Sequence, residues 1–215
     1  MNLTPRVKGY LVTAMKQDTP SRGGRPRGFD RDGALDVAMR LFWRHGYEGV
    51  SIGELTRALD IAPPSLYAAF GSKAGLYEEA LRRYEALVSV ELPQPGDAAT
   101  LEDAVRQMLE ASVRAVTDPA GELGCMISTG MISSHAEHER LGRAVAERRD
   151  RYREAMAHTL ARWTGAAEAA ALARYLTAVM QGLSVQARDG AGADALSLIV
   201  DEVLAGLRAR RQRAG

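Results

Sequence analysis

Three observations predict an all-α fold for this 215-residue chain. Ala, Leu, Glu and Arg, all strong helix formers, dominate the composition. Aromatic residues make up 6% and alternating β-branched runs are few, so little favours a sheet. Apolar residues recur at steps of three and four, bounded by recognisable caps and stops, and mark out about nine helices.

Residues 1–28 are the exception. They show no periodicity, and Ser21-Arg22-Gly23-Gly24-Arg25-Pro26-Arg27-Gly28 is not helical throughout, so a flexible basic arm is expected. Residues 1–31 hold seven basic side chains against Asp18 and Asp30, a net +5, which leaves −4 for the rest of a chain whose total is +1. A basic arm on a slightly acidic body is a nucleic-acid pattern, with Arg22, Arg25 and Arg27 as candidates for the minor groove. A solubilising tail is the plainer alternative.

Asp30 caps a helix that runs to about His45, with Leu35, Ala38, Met39, Leu41 and Phe42 on its apolar face and Gly46 as its stop. Ser51 and Glu54 form a capping box, which starts a second helix at about Ile52. Ile52, Leu55, Ala58 and Leu59 share one face, and Asp60 sits at the turn as a residue that tolerates the left-handed conformation. Pro63 and Pro64 open a third helix in which Ala62 offers no capping side chain. Leu66 and Phe70 face inward, and Gly71 closes it.

Two short helices joined by a tight turn make a helix-turn-helix, whose second helix fits the major groove of DNA. Ser51-Ile52-Gly53-Glu54-Leu55, Ile61 to Phe70 and Ser72-Lys73-Ala74-Gly75-Leu76 resemble the TetR family of bacterial repressors. The Leu-Tyr-x-x-Phe-x-x-Lys-x-x-Leu run carries that resemblance, which covers the first third of the chain. It implies an N-terminal three-helix DNA-binding domain over residues 29–75 and a C-terminal helical ligand-binding and dimerisation domain over 76–215. It also implies phosphate contacts from Tyr67 and Lys73, and a cavity for a small, mostly apolar inducer. The operator is expected to be a palindromic stretch of double-stranded DNA.

Ser72 caps a fourth helix with Leu76, Tyr77, Ala80, Leu81, Tyr84, Leu87 and Val88 on one face, a rod of roughly 25 Å that joins the two domains. Thr100 and Asp103 open a fifth, which Asp118-Pro119-Ala120-Gly121 ends. Gly124 to about Ser133 reads as a short buried sixth helix. A seventh from Glu137 carries Leu141, Val145, Arg148, Tyr152, Met156, Leu160 and Trp163, and stops at Gly165. Residues 167–187 and 194–210 form a final hairpin. Its apolar stripes are broader than one contact face requires, so a homodimer is expected through Leu172, Leu176, Val179, Leu183, Ile199, Val203 and Leu207.

The recognition helix, Pro63 to Phe70, carries no charge and no amide, so the bidentate Arg-to-guanine and Asn-to-adenine contacts are beyond it. Ser65 is expected to hydrogen-bond, Pro63, Pro64 and Ala68 to touch thymine methyls, and Ser51 and Ser72 to bring helix N-termini to phosphates. Capping alone is the plainer role of both serines, as packing is of Tyr67. In the larger domain Met108, Cys125, Met126, Met131, Tyr152, Met156, Trp163 and Met180 fall on inward stripes and are the candidates for the cavity wall, with ordinary core as the alternative for each.

Cys125, the single cysteine, excludes an internal disulfide and fits a reducing cytoplasm. It reads either as an oxidant or electrophile sensor at a helix start or as an inert buried hydrophobe. His135 and His138 lack the further ligands a zinc site needs, and surface histidines are the better reading. No apolar run is long enough for a membrane, and Leu11 to Met15 is too short for a secretion signal. No nucleophile–base–orienter spacing and no Gly-rich phosphate loop occurs, so neither catalysis nor a cofactor is expected. An all-α enzyme and a ligand-free architectural DNA binder remain as alternatives to a ligand-responsive repressor.

Overall fold

A computed structural model of the chain describes residues 30–88, 92–94 and 96–214; the arm with Arg22, Arg25 and Arg27 lies outside these. The described residues hold eight α-helices and no strand: α1 Arg31–His45, α2 Ile52–Ala58, α3 Pro63–Phe70, α4 Lys73–Leu87, α5 Leu101–Val116, α6 Glu139–Leu160, α7 Ala166–Arg188 and α8 Ala193–Ala214. A 3-10 turn, Ala136–His138, precedes α6. Among the described residues, no helix is long and apolar enough to cross a membrane.

The expected caps form. Ser51 Oγ accepts from the Glu54 amide at 3.1 Å while Glu54 Oε2 accepts from the Ser51 amide at 2.7 Å. Thr100 and Asp103 repeat this box at α5. Ser72 Oγ accepts from the Gly75 amide at 3.0 Å and starts α4. Asp60 takes the left-handed conformation at φ 51°, and Gly71 ends α3 at φ 73°.

The helix expected over 124–133 is absent, which brings about nine helices down to eight. Gly124 and Met131 both have positive φ, at 79° and 52°, and these break any helical run. Its carbonyls instead find side-chain donors: Arg149 Nη1 donates to Ile127 and Gly130 oxygens at 2.9 and 2.8 Å. Helix α6 ends at Leu160, short of Trp163, and α4 ends at Leu87.

The core falls into two apolar clusters. One packs α1 to α4 together, with Phe42, Trp43, Leu55, Leu66, Phe70 and Tyr77 among its buried side chains, and draws in Met126, Leu141 and Val145 from further along the chain. The other packs α5 against α7 and α8, and includes Met156 and Leu160 of α6. Cys125 touches both.

Four of the residues expected at a dimer interface belong to that second cluster. Leu172, Leu176, Leu183 and Val203 are buried within their own chain and are unavailable to a partner. Helical period explains the shift: the broad stripes of α7 and α8 contain both an inward and an outward edge, and these four lie on the inward one. Val179, Ile199 and Leu207 keep partly open surface. The outward edge is Tyr175, Ala178 and Val185 on α7 with Ala195, Leu198 and Ala205 on α8, where Tyr175 is 48% and Leu198 66% exposed.

Candidate nucleic-acid interface and effector cavity

Helix α3 is two-sided. Leu66 and Phe70 are buried on α1, α2 and α4, while Pro63, Pro64, Ser65, Tyr67 and Ala68 are exposed, Tyr67 by 46%. Ser51 and Ser72, at the starts of α2 and α4, are exposed with it. The α3 N-terminus offers little to an anion: Pro63 and Pro64 have no N–H, and the Ser65 amide donates to Ala62 O at 2.9 Å. At the starts of α2 and α4, by contrast, backbone amides and serine hydroxyls lie together, although at α2 the Ser51 amide and hydroxyl already donate to Glu54 Oε2. Arg57 in the last turn of α2 is also exposed, and a lone surface arginine carries no motif by which the sequence could mark it.

Lys73 is only half exposed. Its Nζ sits 4.2 Å from the Tyr47 ring centroid, a cation–π contact, and burial pushes its ammonium pKa down against the opposing pull of Glu48 and Glu54. The Tyr47 ring thus holds the lysine in place at the α4 start.

The α1–α4 unit that carries α3 rests on an aromatic and ionic frame. Phe42 meets Tyr77 edge-on at 5.0 Å, Tyr47 meets Tyr77 at 5.1 Å, and Trp43 meets Tyr84 at 4.8 Å. Arg83 grips Asp36 through two hydrogen bonds of 2.8 and 3.0 Å, which ties α4 to α1. Arg31 reaches Glu79 at 2.7 Å and stacks 4.7 Å over the Phe70 ring.

A second set of contacts joins α1 to the segment after α5. Trp43 Nε1 donates to Gly124 O at 2.9 Å, and Arg188, the last residue of α7, donates to the carbonyls of Trp43 at 2.7 Å and Arg44 at 3.3 Å. Ser184 Oγ accepts from the Cys125 amide at 2.8 Å. Glycine is required at 124: a Cβ there would lie 2.7 Å from Arg188 Cγ, and φ is 79°. Sequence gave no hint of this junction, because its partners lie some 60 to 145 residues apart.

Beside that junction is a cavity of about 290 Å³, walled by α4, α5, residues 125–128, α6 and α7. Cys125, Tyr152 and Met180 line it as expected. The other expected wall residues are elsewhere. Met108 and Met156 are fully buried in the second apolar cluster, Trp163 packs against the outside of that cluster beyond the end of α6, and Met126 and Met131 line a different hollow of about 440 Å³ near Tyr47 and Arg188. Arg148, Arg149 and Arg153 of α6 also line the cavity, as do Glu85 of α4 and Ser112 of α5. Arg148 shares the stripe of Leu141 and Tyr152, and a charge at an inward position was the available signal.

The Tyr152 hydroxyl is buried without a hydrogen-bond partner among the described residues, and burial pushes its pKa up to about 12. Burial raises Tyr84 further, with Cys125 adding to it. Cys125 Sγ accepts from the Ser128 amide at 3.3 Å; since residues 124–133 form no helix, the helix-start argument for a reactive thiolate lapses. His138 meets Tyr47 edge-on at 4.8 Å and His135 lies 3.3 Å from Glu137. Among the described residues, no three His, Cys, Asp or Glu gather as a metal site.

Known proteins share this layout. The family of bacterial regulatory proteins, tetR family, matches residues 34–80, which run from the first turn of α1 through α2 and α3 to the middle of α4. The HTH-type transcriptional repressor ComR of Escherichia coli (strain K12) is 30% identical over 210 residues, covering 90% of this chain and 96% of its own. The repressor BdcR of the same strain is 32% identical over 181 residues, covering 84% and 88%. A structure of the TetR-family regulator CifR, a cysteine mutant complexed with 26-bp double-strand operator DNA, superposes with a TM-score of 0.74 at 34% identity, covering 84% of this chain and 98% of that one. With the match to relatives running nearly end to end, on top of the capped α2–α3 pair and the exposed α3 face, the chain belongs to the TetR family of bacterial regulatory proteins.

Proposed function

We propose that the chain is a homodimeric transcriptional repressor that binds a palindromic operator through α3 and leaves it when a small molecule fills the cavity. It acts by binding, without catalysis, in the cytoplasm. Residues 29–75 serve as the reading domain and 76–215 as the effector and dimer domain. The observation that carries this is the two-sided α3: its inner face is locked into the core by Leu66 and Phe70, and its outer face, from Pro63 to Ala68, is open to a groove. Operator complexes of CifR support the same use of the fold.

Discrimination comes from few base contacts. The exposed face of α3 offers a serine hydroxyl, a phenol and apolar surface, so shape and deformability of the DNA contribute alongside thymine methyl contacts. Pairing two heads compensates, since half-sites one helical turn apart add their contacts. The outward edge of α7 and α8, with Tyr175, Val185 and Leu198, is the surface for that pairing, and Val179, Ile199 and Leu207 border it.

Effector binding reaches the head along two routes. Glu85 and Tyr84 put the cavity on α4, the helix that follows α3, and Cys125 puts it beside the Trp43–Gly124–Arg188 junction at the end of α1. A ligand that favours one arrangement of these contacts shifts the population of DNA-competent dimers. Selecting bound fragments from random duplex DNA and footprinting the winners tests the reading. A discrete two-fold site is expected; uniform coating would point to an architectural binder, and an absence of protection would refute DNA binding.

A further inference from the structure

The cavity wall is more cationic than an apolar effector needs. Three arginines face it, and Glu85 is the one carboxylate lining it among the described residues. Their present partners leave charge to spare. Arg149 donates to the neutral carbonyls of Ile127 and Gly130, and no carboxylate among the described residues lies within ion-pair distance of it. Arg153 lies 2.6 Å from Asp150, whose side chain is 54% exposed and so screened by water. Arg148 donates through Nη1 to the neutral Ala144 carbonyl at 3.0 Å, while its Nε, 3.2 Å from Glu85 Oε1, lacks hydrogen-bond alignment to any acceptor in a side chain only 13% exposed. The Tyr152 hydroxyl, on the turn between Arg148 and Arg153, is the second buried donor without an acceptor.

Buried donors and surplus positive charge are costly unless an acceptor with negative charge meets them. Guanidinium forks match the two oxygens of a carboxylate in spacing and plane. The rest of the wall, including Val88, Val116, Ile127 and Met180, is apolar and suits a hydrocarbon body.

We propose that this cavity binds a small carboxylate with an apolar body, its oxygens held by the arginines of α6 and the Tyr152 hydroxyl. The proposal deepens, and rests on, the reading of the cavity as the effector site. It also gives the ligand a grip on the reading head. Glu85 holds Arg148 across the α4–α6 contact, and a ligand carboxylate competes with Glu85 for that guanidinium. Binding therefore loosens the tie on the last turn of α4, whose first turn adjoins α3.

Calorimetric titration of the full chain with octanoate and benzoate, set against octanol and benzamide, tests it. Each carboxylate is expected to bind at least about tenfold more tightly than its uncharged counterpart, the scale of a charge-assisted hydrogen bond. Arg153→Gln, whose only ion-pair partner is exposed, is expected to weaken octanoate by roughly tenfold while melting like the wild type. Glu85→Gln removes the competing carboxylate and is expected to tighten octanoate. Equal or tighter binding of the uncharged probes, no binding of either carboxylate, or weaker octanoate binding by Glu85→Gln would overturn the proposal. Release of selected duplex DNA is read separately. A carboxylate that binds without releasing DNA upholds the anion site and refutes the effector role, and octanol that binds and releases DNA does the reverse.

Discussion

Arg188→Met isolates the contact that fastens the end of α7 to the end of α1. The substitution keeps most of the aliphatic stem and removes two hydrogen bonds, one of 2.7 Å to Trp43 O and one of 3.3 Å to Arg44 O. The short bond involves a charged donor and contributes about 2 kcal/mol, the long one less than about 1. A cation beside the last carbonyls of a helix adds about 0.5 kcal/mol. Against this, the buried Arg188 Nε has no partner among the described residues, and deleting it relieves about 1 kcal/mol. The expected net loss is about 2 kcal/mol, or a melting temperature lower by roughly 4–8 °C for a domain of this size. Thermal and urea unfolding at one fixed protein concentration read it, since the proposed dimer would make stability concentration-dependent. A loss under about 0.5 kcal/mol would show that the junction is not held by this guanidinium, and the second route from cavity to head would fall with it.

Tyr67→Phe and Lys73→Ala are expected to weaken binding to selected duplex and, for Lys73→Ala, to lower the salt slope by about one; unchanged affinity would remove both from the interface. Leu176→Ala, at a fully buried site, is expected to cost about 2–5 kcal/mol, whereas Leu198→Glu, on the outward edge of α8, leaves the chain folded and shifts dimer to monomer in sedimentation; the opposite pairing of effects would refute the division of the α7 and α8 faces. Glu54 and Glu102 both have pKa values held below the ordinary 4.5, Glu54 by the Ser51 amide and hydroxyl and Glu102 by Arg208. A carboxylate depressed in the folded state stabilises above its unfolded pKa, so that contribution is complete at neutral pH and is lost as pH falls through and below 4.5. Glu102→Gln should flatten the acid limb of a stability–pH curve, and an unaltered limb would deny Glu102 that role.

What the sequence made legible is local. Ser51 with Glu54, Pro63 with Pro64, Asp60 and Gly71 each set a boundary through chemistry within four residues, and α2 and α3 begin and end where those residues demand. The outward face of α3 followed from the same period, because Leu66 and Phe70 fix which side is core. The failures are non-local. Residues 124–133 are apolar enough for a buried helix, yet Gly124 takes a positive φ at a point where Arg188, 64 positions later in the chain, packs against it. The α7 and α8 stripes showed how much apolar surface exists but not which edge the monomer covers, so Leu176 and Leu198 could not be told apart. Methionine content likewise pointed to Met108 and Met156 as cavity wall, whereas arginines on α6 are there instead.

The central claim is that the exposed side of α3 meets DNA while its other side is core. Hydroxyl-radical oxidation of side chains, mapped by mass spectrometry with and without saturating selected duplex, addresses it directly. Tyr67 is expected to oxidise readily in the free chain and to be protected on DNA, with the buried Tyr77 and Tyr84 inert in both states. Tyr67 oxidised equally with and without bound duplex would contradict the claim.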